Sequence, residues 1–272
     1  MKKEVPARLH VLLARHSPMA VVIRRGPSKH VCTIAWNRED DTFEVGQWLK
    51  GRIYEERCDL SPDGKYLLYF ALNGRWDSEV DGSWSAISRA PWLKAIELYP
   101  KGDTWGGGGM FLTENSFWLD HFKGEEPLMR SDEVQRDEFY EPGDHFKIYE
   151  GRRLVRDGWK FLEYTDSFEV SPVFEKSLPK SWLLRMVANA QIPAPEGGYY
   201  FKRDKYELIN KTSGDLLECD DWEWADLDGQ TVVWASKGCL YRASIENTEK
   251  IGTPKLLYDF NPLKFKRITA PY

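Results

Sequence analysis

The sequence predicts an all-β fold assembled from repeated sheet modules, a β-propeller or propeller-like architecture of about five blades. Three observations carry that expectation. Short runs of β-branched and aromatic residues recur from the start of the chain, each closed by turn residues. A turn-and-strand unit around Gly64 is echoed around Gly229. Fainter copies fall elsewhere in the chain, at the roughly 40–50-residue spacing of propeller blades.

The elements follow in order. Leu9 to Ala14, Ala20 to Arg24, Val31 to Trp36 and Thr42 to Trp48 read as strands. Ser17-Pro18, Gly26-Pro27-Ser28 and the polar stretch Asn37 to Asp41 supply turn chemistry between them, so hairpins are expected. Ser61-Pro62-Asp63-Gly64 then forms a turn leading into the apolar strand Tyr66 to Phe70. Aligning Gly64 with Gly229 sets Asp63 on Asp228, Leu67 on Val232, Leu68 on Val233 and Tyr69 on Trp234. The pair Tyr241 to Ile245 and Leu256 to Phe260 likewise matches Val31 to Trp36 and Phe43 to Trp48 as an outer hairpin. Fainter units begin at Gly106, at Asp157-Gly158-Trp159 and at Gly197-Gly198.

Two segments depart from the strand pattern. Across residues 177–190, Leu178, Trp182, Leu183, Met186 and Val187 have helical spacing, with Ser177 as N-cap and Pro179 in the first turn, which predicts a short helix. Residues 123–144 are charged and contain Pro127, Pro142 and Gly143, which predicts a long, mobile loop insertion with at most one helical turn. The length suits one domain over residues 1–272, because all-β folds of this size form single units.

Leu60-Ser61-Pro62-Asp63-Gly64-Lys65-Tyr66-Leu67-Leu68-Tyr69 resembles the TolB-type β-propeller repeat, in which a Ser-Pro-Asp-Gly turn enters an apolar inner strand. The later copy has Asp226-Leu227 where that family has Ser-Pro. The resemblance implies a propeller fold and no particular activity.

Composition narrows the function classes. Hydrophobic residues at 42% supply a core and charged residues at 30% supply solubility, so most of the chain is expected to fold. A net charge of −5 and a pI near 5.7 give no attraction to nucleic acid or anionic membranes and suit a basic protein partner. The basic turn from Arg24 to His30 reads as solvated. Cys32, Cys58, Cys219 and Cys239 form no CxxC pair and are expected to pack as small apolar residues in a reducing compartment. The five histidines are dispersed, so no metal is expected. Gly106 to Gly109 lacks the sequel of a phosphate loop and reads as close backbone approach at a strand start. No GxSxG elbow occurs, and no catalytic residue or cofactor is expected. Arg15, His16 and Arg24 interrupt the early apolar stretches, which removes a signal or membrane-spanning reading and suggests a cytoplasmic protein.

Twelve tryptophans stand out, since indoles fill space between sheets and also anchor contacts. Trp36, Trp118 and Trp234 lie in strand patterns and read as core. Trp76, Trp84, Trp105 and Trp222 lie in polar or glycine-rich surroundings and read as contact aromatics. The run Asp220-Asp221-Trp222-Glu223-Trp224 joins three carboxylates to two indoles, a composition suited to a cationic surface, so Asp220, Asp221, Trp222 and Glu223 form the first candidate binding site. The expected function is a non-enzymatic, protein-binding propeller, in its most concrete form a bacterial immunity-type inhibitor that occludes a toxin or enzyme. The alternatives are a carbohydrate-binding or glycoside-hydrolysing propeller using acids such as Asp59, Asp103 and Asp226, and a multi-partner assembly scaffold.

Overall fold

The computed structural model describes residues 5–26, 29–121, 125–140, 149–164, 171–188, 204–247 and 250–272. Among the described residues it is all-β with one short α-helix and five sheets. Contacts divide the chain into two compact units, His10–Arg153 with Lys264–Tyr272, and Met1–Leu9 with Leu154–Leu263.

Three sheets lie in the first unit. The first consists of β1 (Arg8–Leu13), β2 (Met19–Arg25), β3 (His30–Asn37) and β4 (Thr42–Lys50), paired in that order. In the second, β7 (Tyr66–Leu72), β8 (Ser83–Arg89) and β9 (Ala95–Pro100) form the body. Its first edge is an interrupted strand, β5 (Arg52–Ile53) and β6 (Asp59–Leu60), both paired with β7 and separated by a 3-10 turn at Glu55–Arg57. The third sheet has β10 (Gly109–Phe111), β11 (Ser116–Leu119) and β12 (Gln135–Arg136), and β11 with β12 is the parallel pair in an otherwise antiparallel set. The helix α1 (Tyr149–Arg156) follows.

The second unit holds two sheets, again in sequence order. One runs β13 (Lys160–Tyr164), β14 (Pro172–Ser177), β15 (Trp182–Val187), β16 (Lys205–Asn210), β17 (Leu216–Glu218). The other runs β18 (Trp224–Asp228), β19 (Thr231–Ser236), β20 (Cys239–Ser244), β21 (Lys255–Asp259). Lys176 on β14 and Asp226 on β18 join them by a 2.5 Å ion pair.

The apolar run of β7 has a direct cause in packing. Successive side chains point to opposite faces, and both faces of the second sheet are covered. Leu67, Tyr69 and Ala71, with Trp84 and Ala86, pack on Leu12, Val21, Ile23 and Val31 of the first sheet. Tyr66 and Leu68, with Ile87 and Tyr99, pack on Phe111, Phe117 and Leu119 of the third. Each fully buried side chain of this kind contributes about 1.5–3 kcal/mol, so β7 ties three sheets together.

The turn before β7 is closed by its own side chains. Ser61 Oγ lies 2.6 Å from Asp63 Oδ1 and accepts from Tyr66 N–H at 2.9 Å, while Asp63 accepts from Lys65 N–H at 3.0 Å. Gly64 takes φ 79°, the left-handed region that this turn requires. Its echo matches in the strand and differs in the turn. Leu67 pairs with Leu60 across a six-residue connection, whereas Val232 pairs with Leu227 and Asp228 with Thr231 across the two-residue turn at Gly229.

Several expectations change. Residues 177–190 do not form a helix: β14 and β15 make a hairpin there, with Leu178 N–H bonded to Trp182 O and Trp182, Leu184 and Met186 buried on one face. Lys180 and Ser181, at φ 56° and 66°, make its turn; residues 189 and 190 lie outside the described residues. The described part of the 123–144 segment is anchored, since Leu98 bridges to Met129 and β12 adds to the third sheet. The expected unit at Gly197 also lies outside the described residues. Arg24 is buried, with its guanidinium over Trp48, and Arg25 forms a buried 2.9 Å pair with Glu55, so the basic turn is not simply solvated. Among the described residues no helix is long and apolar enough to cross a membrane.

Candidate protein-binding surface

Two connections at one end of the second sheet carry exposed indoles. Residues 73–82 join β7 to β8, and residues 101–108 lead from β9 to β10. The pairings Leu72 with Ser83 and Trp84 with Pro100 bring both to the same end of the sheet. The loops are bonded to each other: Lys101 N–H donates to Ser83 O at 2.9 Å, and the Ser83 hydroxyl donates to Asp103 O at 2.6 Å. Trp76 is 54% exposed and Trp105 88%. Asp77, Glu79 and Asp81 are exposed beside them and Asp103 is half-buried. The same loops carry Arg75 and Lys101, and Lys101 is paired with Asp103 at 3.4 Å. The surface is therefore acidic, with two indoles on it.

Both loops are held by their own backbones. In the first, Asn73 and Gly74 N–H both bond to Gly82 O, and Asn73 Oδ1 accepts from Arg75 N–H. In the second, Asp103 Oδ1 accepts from Trp105 N–H at 2.7 Å, and the Arg57 guanidinium donates to Thr104 O and Gly106 O. Gly106, Gly107 and Gly108 have φ between 83° and 85°, and a Cβ on Gly107 would stand 2.5 Å from the Phe70 ring. The glycine run thus lets the backbone lie directly on Phe70, as a close-approach reading of Gly106 to Gly109 anticipates. An indole presented by so constrained a loop loses little freedom on binding.

The run at residues 220–223, in the other unit, is built differently. Trp222 stacks on Trp234 at 4.7 Å and 13°, and Trp234 stacks on Tyr241 at 5.6 Å and 17°. Asp221 is paired with Lys237 at 2.7 Å, and a Glu223 carboxylate oxygen accepts from Leu9 N–H at 3.1 Å. Asp220 stands exposed. Most of this run is engaged in holding its own unit.

Trp84 leaves the set of contact residues. It is 8% exposed, on the core face of β8 with Ala86. Its polar neighbours Ser83 and Ser85 are themselves buried, so polar context did not mean exposure. Trp36 and Trp234 are buried as expected, and Trp118 is half-buried. Of the candidate acids, Asp59 is buried and accepts from Phe111 N–H at 2.7 Å, Asp103 serves the Trp105 loop, and Asp226 pairs with Lys176. Each has a structural partner of its own. The four cysteines are free thiols, and burial raises Cys32 to about 12, so that thiol is inert at neutral pH.

A buried polar chain escaped the sequence. Gly108 N–H donates to Ser85 Oγ at 2.8 Å, Ser85 Oγ lies 2.8 Å from His121 Nε2, and His121 Nδ1 lies 2.6 Å from Glu125. These residues are too far apart in sequence to form a motif. The order suggests nucleophile, base and orienting acid. Ser85, however, is fully buried in mid-sheet with its oxygen already bonded to Gly108, which leaves no room for a reacting carbon. A cavity of about 250 Å³ lies beyond the other end of the chain, lined by Glu97, Tyr99, Glu125, Arg130 and Arg136 among others. There Tyr99 donates to Glu97 at 2.5 Å, and burial raises the Glu97 carboxyl above its usual range. Among the described residues no group of His, Cys, Asp and Glu could hold a metal ion.

No family model matches the chain, and no curated protein matches it. Among solved structures it is similar to Kuenenia stuttgartiensis hydrazine synthase, with a TM-score of 0.33 and 10% identity over 90% of this chain and 79% of that one. A likeness that loose carries no argument about chemistry.

Proposed function

We propose that the chain is a non-enzymatic protein-binding module whose sheets are blades of a β-propeller, and that the Trp76 and Trp105 loops dock a basic protein partner. The propeller reading is supported by sheets built from consecutive strands and by the coverage of the second sheet on both faces. The docking reading rests on one observation: two exposed indoles stand on hydrogen-bonded, pre-shaped loops among exposed carboxylates. Carboxylates speed encounter with a cationic surface, and a desolvated indole slows release. An enzyme occluded in this way is the immunity-type form of the same reading.

Capture from native lysate tests it. A stoichiometric protein partner is expected, and Trp76→Ala with Trp105→Ala should weaken its binding at least about 30-fold, as for interface anchors worth roughly 2 kcal/mol or more. Unfolding midpoints should stay near wild type, because neither ring is buried. Equal affinity for wild type and the double variant would remove this surface from the proposal.

A further inference from the structure

We propose that the buried chain Gly108, Ser85, His121 and Glu125 is a proton-operated latch on the Trp105 loop, closed while His121 is neutral and loosened when it takes up a proton. The inference rests on reading that loop as a docking surface, and it adds a control to it.

The direction of each hydrogen bond follows from the partners. Glu125 accepts only, so His121 Nδ1 carries the hydrogen and Nε2 is left as an acceptor. Ser85 therefore donates its hydroxyl hydrogen to Nε2, and its oxygen lone pairs face Gly108 N–H. This arrangement satisfies every member with a neutral imidazole. A second ring proton reverses the Ser85 bond. The serine oxygen must then accept from both Nε2–H and Gly108 N–H, and its own hydrogen is turned out of the chain in a buried site. The orphaned hydroxyl hydrogen is costly in a buried site, and turning the serine to find it a partner draws the oxygen off Gly108 N–H.

The surroundings oppose the added charge. Ser85 faces His121 from β8, and Tyr99 from β9 meets the ring edge-on at 5.9 Å, with its hydroxyl committed to Glu97. Lys101 after β9 and Arg136 on β12 add positive charge nearby. Glu125 favours the charged ring, and Asp120 on the same segment as His121 borders Gly106. Burial outweighs Glu125 and holds His121 below its usual range. The sign follows: the neutral ring contributes stability above about pH 6.5, and this contribution is lost as pH falls from there through the lower folded value.

The latch acts at the root of the binding loop. Gly108 is three residues from Trp105; Arg57 holds Thr104 O and Gly106 O on one side of the glycine run, and Asp120, next to His121 in sequence, accepts from Gly107 N–H at 3.0 Å and donates to Gly108 O at 2.9 Å on the other. Losing the Ser85 bond detaches the loop from β8 and leaves that side held through Asp120, the neighbour of the protonated histidine.

Amide hydrogen exchange on the full chain between pH 5 and 8, corrected for intrinsic exchange, tests the latch without any partner. The opening constant of the Gly108 amide should rise by up to tenfold per pH unit below about 6.5, while that of Val22 in β2 stays level. His121→Gln should abolish the step. If that variant fails to fold, Ser85→Ala should give a Gly108 amide that exchanges fast at pH 7.5 with no further step on acidification. A flat Gly108 profile, or Gly108 and Val22 rising together, overturns the latch. Because the readout is the free loop, that failure leaves the docking proposal standing, and loss of the docking proposal leaves the exchange result intact.

Discussion

Two regions rich in aspartate and tryptophan, the Trp76 and Trp105 loops and the run at residues 220–224, are alike in composition and opposite in construction. Around Trp105 the backbone is tied down by Arg57, Ser85 and Phe70, and the indole is left in solvent. Around Trp222 the side chains are tied down: one indole stacks on Trp234, one carboxylate holds Lys237 and another holds Leu9 N–H. A side chain already satisfied within its own unit has less to offer a partner, whereas a fixed backbone carrying an unsatisfied side chain is poised for one. Partners, not composition, separate a structural cluster from a contact surface.

The largest expected effect breaks the comparison at the stack. Trp234 is 7% exposed and lies between two rings, so Trp234→Ala should cost about 3–5 kcal/mol in urea unfolding. The folded fraction should still bind a partner of the Trp105 loops with unchanged affinity. A loss under about 1 kcal/mol would mean that the ladder of rings is not what organises this part of the sheet.

Much of the strand layout was legible, and the failures have physical causes. Alternation and short β-branched or aromatic runs located β1 to β4, the runs of β2 and β3 being buried on both faces over most of their length. Residues 177–190 misled because Trp182 and Met186 are four apart, a spacing that suits one face of a helix and one face of a strand equally. The turn that decides between them, Lys180-Ser181, adopts left-handed φ values without the Asn or Gly that usually advertises such a turn. Trp84 was misread for the converse reason: the flanking serines are polar and buried, with Asp103 O and His121 as partners brought in by the fold. Trp76 and Trp105 were legible from their turn-rich context. The chain through His121 was not, because its members meet across β8, the loop before β10 and the segment after β11.

A second test sharpens the comparison on the backbone side. Gly107→Ala places a methyl against Phe70 at a φ of 85°, where an L residue is strained, so a loss of about 1–3 kcal/mol is expected. The same substitution should weaken partner binding although residue 107 is buried and cannot touch a partner. Unchanged binding would show that the shape of the loop does not matter to the contact.

The smallest effect discriminates most directly between the two regions. Asp221 and Lys237 are both about two-thirds exposed, and exposed pairs are worth at most about 1 kcal/mol, screened by salt. Asp221→Asn should therefore change stability by less than that amount, and the change should fade in concentrated salt. It should alter association with a basic partner less than a change on the contact loops, because Asp221 lies on neither the Trp76 nor the Trp105 loop. Asp77→Asn should instead slow association at low ionic strength, since that carboxylate is exposed beside Trp76. The opposite ranking in stopped-flow association rates would move the contact surface to residues 220–223 and make the Trp105 loop a structural device.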